Sequence, residues 1–211
     1  MNLERKEEYW NTLLHGVAAI ASFVGIFILL WINRDGKEMM GQIALIVYGL
    51  SLVALYGCST LLHFSSYRGL PERIQHVFGV MDHSAIYILI AGSYTPFLYF
   101  ALDGTQRLIW LCIIWLLAGF GVVYQSFFLN KYKHISTSIY ILMGWLVLFI
   151  YGPIKDFLSF NSLLLLIIGG ILFTVGTIFF SMKKVYMHTI WHLFVMGGTA
   201  TMYSAIVLVI L

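Results

Sequence analysis

Apolar residues fill this chain in seven long blocks, at 9–32, 40–64, 74–100, 106–129, 135–151, 158–182 and 186–211, separated by short polar stretches. A helix of ~20 residues, rising about 1.5 Å per residue, crosses the hydrocarbon core of a bilayer, and spans as short as about 17 occur. No block keeps up the alternation of polar and apolar positions that a membrane β-strand shows. In lipid a helix satisfies its own backbone groups, so continuous apolar blocks of this length predict helices. The pattern therefore predicts an all-α integral membrane protein, a seven-transmembrane helix bundle forming one domain over residues 1–211. The short connections make consecutive helices antiparallel neighbours.

Composition agrees: 61% of residues are hydrophobic and 10% charged, against about 25% charged in a soluble domain. Charge adds an orientation. The N-terminus and the even-numbered loops carry eight basic residues, Arg5, Lys6, Arg68, Arg73, Lys131, Lys133, Lys183 and Lys184; the other side carries four, Arg34, Lys37, Arg107 and Lys155. By the positive-inside rule the N-terminus is cytoplasmic and the C-terminus outside. Trp10, Trp31, Trp110 and Tyr132 fall near span ends, as an aromatic belt requires. Gly119 with Gly121, Gly169 with Gly170, and Gly197 with Gly198 are positions for close helix contact, and Pro96 is a position for a kink. The polar start and the apolar run continuing to Trp31 are unlike a cleavable signal, whose apolar core is ~7–15 residues. Cys58 and Cys112 lie in apolar blocks and read as small hydrophobes without a disulfide framework. A net charge of +3 calls for no nucleic acid.

The histidines change the picture most. All seven, His15, His63, His76, His83, His134, His188 and His192, fall on the cytoplasmic half in this topology. His76 and His134 sit near span ends, where interfacial roles suffice; the others lie deeper and need partners. Counting from the flanking basic residues, His63 is about 7 Å, His188 about 6 Å, and His192 about 12 Å into the membrane. Ser59 and Asp82 are both about 13 Å in, so three separate helices place these five residues in one slab. His188 and His192, like Ser59 and His63, are spaced to share a helix face. Asp82 is an acidic residue deep in a span with no Lys or Arg at its depth, and a metal cation would supply the missing charge. Three imidazoles with an oxygen ligand or water match a catalytic zinc site. Iron, nickel and copper also suit imidazole, and polar contact between helices is the plainer alternative. A bis-histidine haem fits poorly because His188 and His192 lie on one face, and the seventh block holds no Lys for a retinal Schiff base. His83 points about 100° away from Asp82 and reads as an outer partner or an interhelical hydrogen bonder. Asn11 and His15 share a face of the first span, as groups that close the cytoplasmic mouth or orient a ligand, or as ordinary interfacial residues.

Taken in order, Asn11-x3-His15, Ser59-x3-His63, Asp82-His83 followed by SAIYILIAGSYTP, and His188-x3-His192 resemble the hemolysin III family. That family is the bacterial branch of the progestin and adipoQ receptor superfamily, which is similar to the alkaline ceramidases. The resemblance covers essentially the whole chain. It implies Zn2+ held by His63, His188 and His192, with Asp82 bound directly or through a water and Ser59 close by. It implies a multi-pass protein of the bacterial cytoplasmic membrane, with membrane lipids as substrate or ligand. Three functions remain open at this point. One is a metal-dependent hydrolase of lipid amide or ester bonds, with Asp82 as proton carrier, Ser59 at the oxyanion, and a role in membrane lipid homeostasis. A second is a non-enzymatic regulator of the membrane, receptor-like, with structural zinc. The third is a pore-forming haemolysin, which fits poorly because a pore wants polar residues along its whole length. A reachable fourth coordination position favours the enzyme; four protein ligands favour a structural metal.

Overall fold

A computed structural model describes residues 2–36, 38–129 and 133–211, without the side chains of Lys133 and His134. Lys37, Lys131, Lys133, Tyr132 and His134, which entered the charge count, the aromatic belt and the histidine set, thus lie wholly or in their side chains outside the described residues.

The helices are α1 (Leu3–Ile32), α2 (Met39–Arg68), α3 (Glu72–Ala101), α4 (Gly104–Phe128), α5 (Lys133–Gly144), α6 (Val147–Ile154), α7 (Phe160–Ser181) and α8 (Met187–Ile210), with a 3-10 turn at Asn33–Asp35 after α1. No strand occurs among the described residues. Seven spans are long and apolar enough to cross a membrane, the fifth being α5 and α6 together over Ile135–Ile154. The chain is a multi-pass integral membrane protein. Large apolar side chains such as Phe27, Leu116, Phe127 and Phe149 face outward, a surface that lipid accepts and water would not.

Local signals set the helix ends that later carry the site. Asn2 caps α1 by accepting from the Arg5 N–H at 2.9 Å, and Glu4 in the first turn complements the helix dipole. At the end of α2, Gly69 adopts φ 64°, the Leu70 N–H donates to the Ser65 carbonyl and the Gly69 N–H to the Ser66 carbonyl. That closing turn needs a left-handed residue, which glycine supplies without strain, and Pro71 then starts α3. The α2–α3 connection is thereby so short that the ends bearing Ser59, His63 and Asp82 stay side by side. Before α8, Tyr186 takes a left-handed φ of 68°, so the helix opens one residue ahead of His188.

The fifth span differs from the continuous helix that its apolar run predicts. It breaks at residues 145–146, between α5 and α6. The Tyr94 hydroxyl on α3 lies at the break, pointing to the Gly144 carbonyl at 2.8 Å and the Met143 carbonyl at 3.1 Å, and accepting the Val147 N–H at 2.7 Å. A phenol from another helix takes over backbone groups that the interrupted ladder leaves open. Pro96 lies inside α3 without ending it.

Several glycines mark close helix approaches. A methyl at Gly121 would lie 2.3 Å from Tyr87 Cδ1, one at Gly169 2.7 Å from Thr201 Oγ1, and one at Gly198 2.8 Å from the Phe173 ring. Gly119 has open space, so its part in the expected contact falls away. The Gly121→Ala variant is expected to unfold at a lower temperature in detergent, by about 1–3 kcal/mol of overpacking, because the Tyr87 ring is fully buried and packed 4.4 Å from Tyr140. Gly119→Ala should leave the midpoint where it is.

Candidate metal centre

Four helix ends meet where α1 and α3 begin, α2 finishes and α8 begins. His63 comes from the last turns of α2; His188 and His192 come from the first turns of α8. One ligand nitrogen from each of the three lies within 4.8 Å of the others. Ring centroids are 4.4 Å apart for His188 and His192, 4.8 Å for His63 and His192, and 5.2 Å for His63 and His188. His63 Nε2 and His192 Nε2 approach to 2.9 Å. Zn–N bonds of about 2.0–2.1 Å in tetrahedral geometry put neighbouring nitrogens roughly 3.3 Å apart, so the gathered rings need only small adjustments to share one ion. His63 and His192 are buried, and His188 half-buried.

Around the triad, buried polar atoms lack hydrogen-bond partners. His15 is 2% exposed; its ring sits 3.9 Å from His192 and 6.5 Å from His63, and neither of its nitrogens is bonded. Asn11, also buried, accepts from the Thr189 hydroxyl at 2.6 Å, but its Nδ2 is unpartnered. Ser59 Oγ is buried and unpartnered too. Its neighbours Thr60 and Ser65 donate back to carbonyls of their own helix, as hydroxyls on helices commonly do. Each such orphan costs about 1–3 kcal/mol, so four atoms in one layer is a concentration that calls for a polar ligand. The Tyr56 ring lies 5.0 Å from His15, and its hydroxyl meets that of Thr199 at 2.5 Å. The donor set and the orphans together fit a metal ion with a polar fourth ligand.

Asp82 is not among the gathered ligand atoms. It is half-buried on α3, with Oδ2 3.6 Å from His83 Nδ1. His83 Nδ1 bonds the Gly79 carbonyl at 2.9 Å, and the His83 carbonyl accepts from Tyr140 at 3.0 Å. The Phe180 ring lies between, 6.4 Å from His83 and 5.8 Å from His188. His76 is exposed in the first turns of α3. One residue that the sequence reading passed over does touch the triad: Glu8 Oε2 lies 2.7 Å from His63 Nδ1. Its signal was the spacing Glu8, Asn11, His15, which places all three on neighbouring turns of α1.

Residues 3–203 match the family described as "Haemolysin-III related". Among curated proteins the chain is 41% identical to "Hemolysin-3" of Bacillus cereus over 207 residues, covering 98% of this chain and 93% of that protein. It is 38% identical to "Hemolysin-3 homolog" of Bacillus subtilis (strain 168), covering 95% and 93%. It is 31% identical to "Monocyte to macrophage differentiation factor" of Homo sapiens, covering 93% and 81%.

Proposed function

This chain belongs to the haemolysin-III-related family, and from that membership and the histidine triad we propose that it is a zinc-dependent hydrolase of amide or ester bonds in membrane lipids. The observation that carries the reading is that the gathering has three protein ligands rather than four among the described residues, ringed by unpartnered polar atoms. Three ligands and an open position are the pattern of catalytic zinc. His63, His188 and His192 would hold the ion, which when bound polarises a carbonyl and lowers the pKa of water to about 7.

The chain's own groups supply the rest. Asp82 Oδ accepts a proton from the attacking water and returns it to the leaving group. Ser59 Oγ, not committed to its own helix, donates to the carbonyl oxygen as that oxygen gains charge. An apolar groove of about 450 Å³ between α1 and α2, lined by Gly16, Ala19, Ala54, Gly57, Cys58 and Thr60 among others, opens at the level of Ser59 and suits an acyl chain. A bond just below the headgroups would then lie at the triad. In this reading the N-terminus is cytoplasmic, the membrane is the bacterial cytoplasmic membrane, and the product alters its lipid composition.

The test is metal analysis and lipid hydrolysis on purified protein. About one zinc per chain is expected, and hydrolysis of ceramide-like amides or phospholipid esters in mixed micelles should stop with chelator and return with zinc. A chain without stoichiometric metal, or hydrolysis indifferent to chelator, sinks the proposal. Tight zinc with no hydrolysis of either class would transfer the family reading to a membrane regulator built around structural zinc.

A further inference from the structure

The carboxylate that meets the triad comes from α1, from the charged segment at its start. Glu8 Oε2 accepts the Nδ1–H of His63 at 2.7 Å. A nitrogen that donates a proton to a carboxylate cannot also offer a lone pair to a metal. The bond therefore selects Nε2 as the metal-facing atom of His63, and Nε2 is the atom that lies 2.9 Å from His192 Nε2. His63 is buried, while the Glu8 side chain is 31% exposed, so the pair spans the boundary between the site and the aqueous side. There Glu8 lines a polar pocket of about 570 Å³ with Arg5, Ser66 and Arg68, among others. The Thr12 hydroxyl bonds the Glu8 carbonyl at 2.7 Å.

We propose that Glu8 is a positioning residue of the metal centre: its carboxylate fixes the tautomer and ring orientation of His63, so that Nε2 faces the ion held with His188 and His192. The inference rests on reading the triad as a zinc site. Histidine ligands to zinc commonly donate their other ring N–H to a carboxylate, which makes the ligating nitrogen more basic. Here the carboxylate also puts a negative charge beside three neutral imidazoles that receive a dication, and this offsets part of the charge brought into a low-dielectric layer.

The experiment is a chelator-competition titration with zinc on purified wild type, Glu8→Ala and Glu8→Gln, with thermal midpoints taken in the zinc-free and zinc-loaded forms. Loss of such an outer partner weakens metal binding about 10–100-fold, the expected result for Glu8→Ala. Glu8→Gln should fall between, because its amide oxygen still accepts the Nδ1–H but carries no charge. If Glu8→Ala cannot be purified folded, the near-isosteric Glu8→Gln carries the test with a loss of about tenfold expected. A purely structural Glu8 would lower the zinc-free midpoint and leave zinc affinity within twofold of wild type, and that result overturns the proposal. Wild type that binds no zinc overturns both this proposal and the reading beneath it; zinc-loaded wild type with unchanged variants overturns this one alone.

Discussion

His192→Ala is expected to leave the purified protein without stoichiometric zinc and without metal-dependent hydrolysis. His192 is central to the triad: its ring is the nearest to His188 and to His15, and its Nε2 is the partner of His63 Nε2 at 2.9 Å. Removing it leaves only two of the three gathered imidazoles, one on α2 and one on α8. The loss should therefore exceed the roughly 10–100-fold typical of an outer partner. Stability should follow through linkage. Zinc at a thousandfold excess over its dissociation constant stabilises a folded chain by about 4 kcal/mol, so the wild-type melting temperature rises with zinc. That of His192→Ala should not. Elemental analysis with paired melting curves reads both effects, and one zinc per chain in the variant would remove His192 from the ligand set. His15→Ala is the contrasting case. Its ring packs on His192 but is not among the gathered ligand atoms, so zinc should be retained.

The spans were legible because lipid leaves little choice: a run of apolar residues must bond its own backbone, and the seven blocks correspond to the seven spans. The break between α5 and α6 was not, because its cause is a Tyr94 hydroxyl 49 or more positions away in sequence. Depth, read from flanking charges, is one coordinate of a site. It brought together His63, His188 and His192, whose ligand atoms the fold gathers, and equally Asp82, which shares the slab without joining that gathering. What depth cannot supply is the rotation of each helix about its axis, which decides which residues at one depth face one another. Glu8 escaped for the converse reason. It sits in a charged run at the start of α1, where a carboxylate needs no explanation, and only tertiary packing of α1 on α2 carries its Oε2 to a buried imidazole.

Asp82→Asn separates binding from chemistry. The substitution keeps size and a polar head, and the three histidines that would hold the ion are untouched, so about one zinc per chain should remain. Hydrolysis should fall by roughly 10²–10⁴, the usual contribution of a positioned acid–base group, and the fall should appear in kcat more than in KM. An amide cannot take the proton that the attacking water must lose, whereas it can still occupy the same place among α3's neighbours. A variant that loses zinc together with activity would instead make Asp82 a direct ligand; the centre would then have four protein ligands and the character of a structural metal. A variant that keeps both zinc and rate would move the proton carrier elsewhere, and Ser59→Ala and His15→Ala become the next substitutions, because their unpartnered atoms face the same layer. The outcome for metal thus decides what kind of centre the triad forms, and the outcome for rate decides whether Asp82 takes part in it.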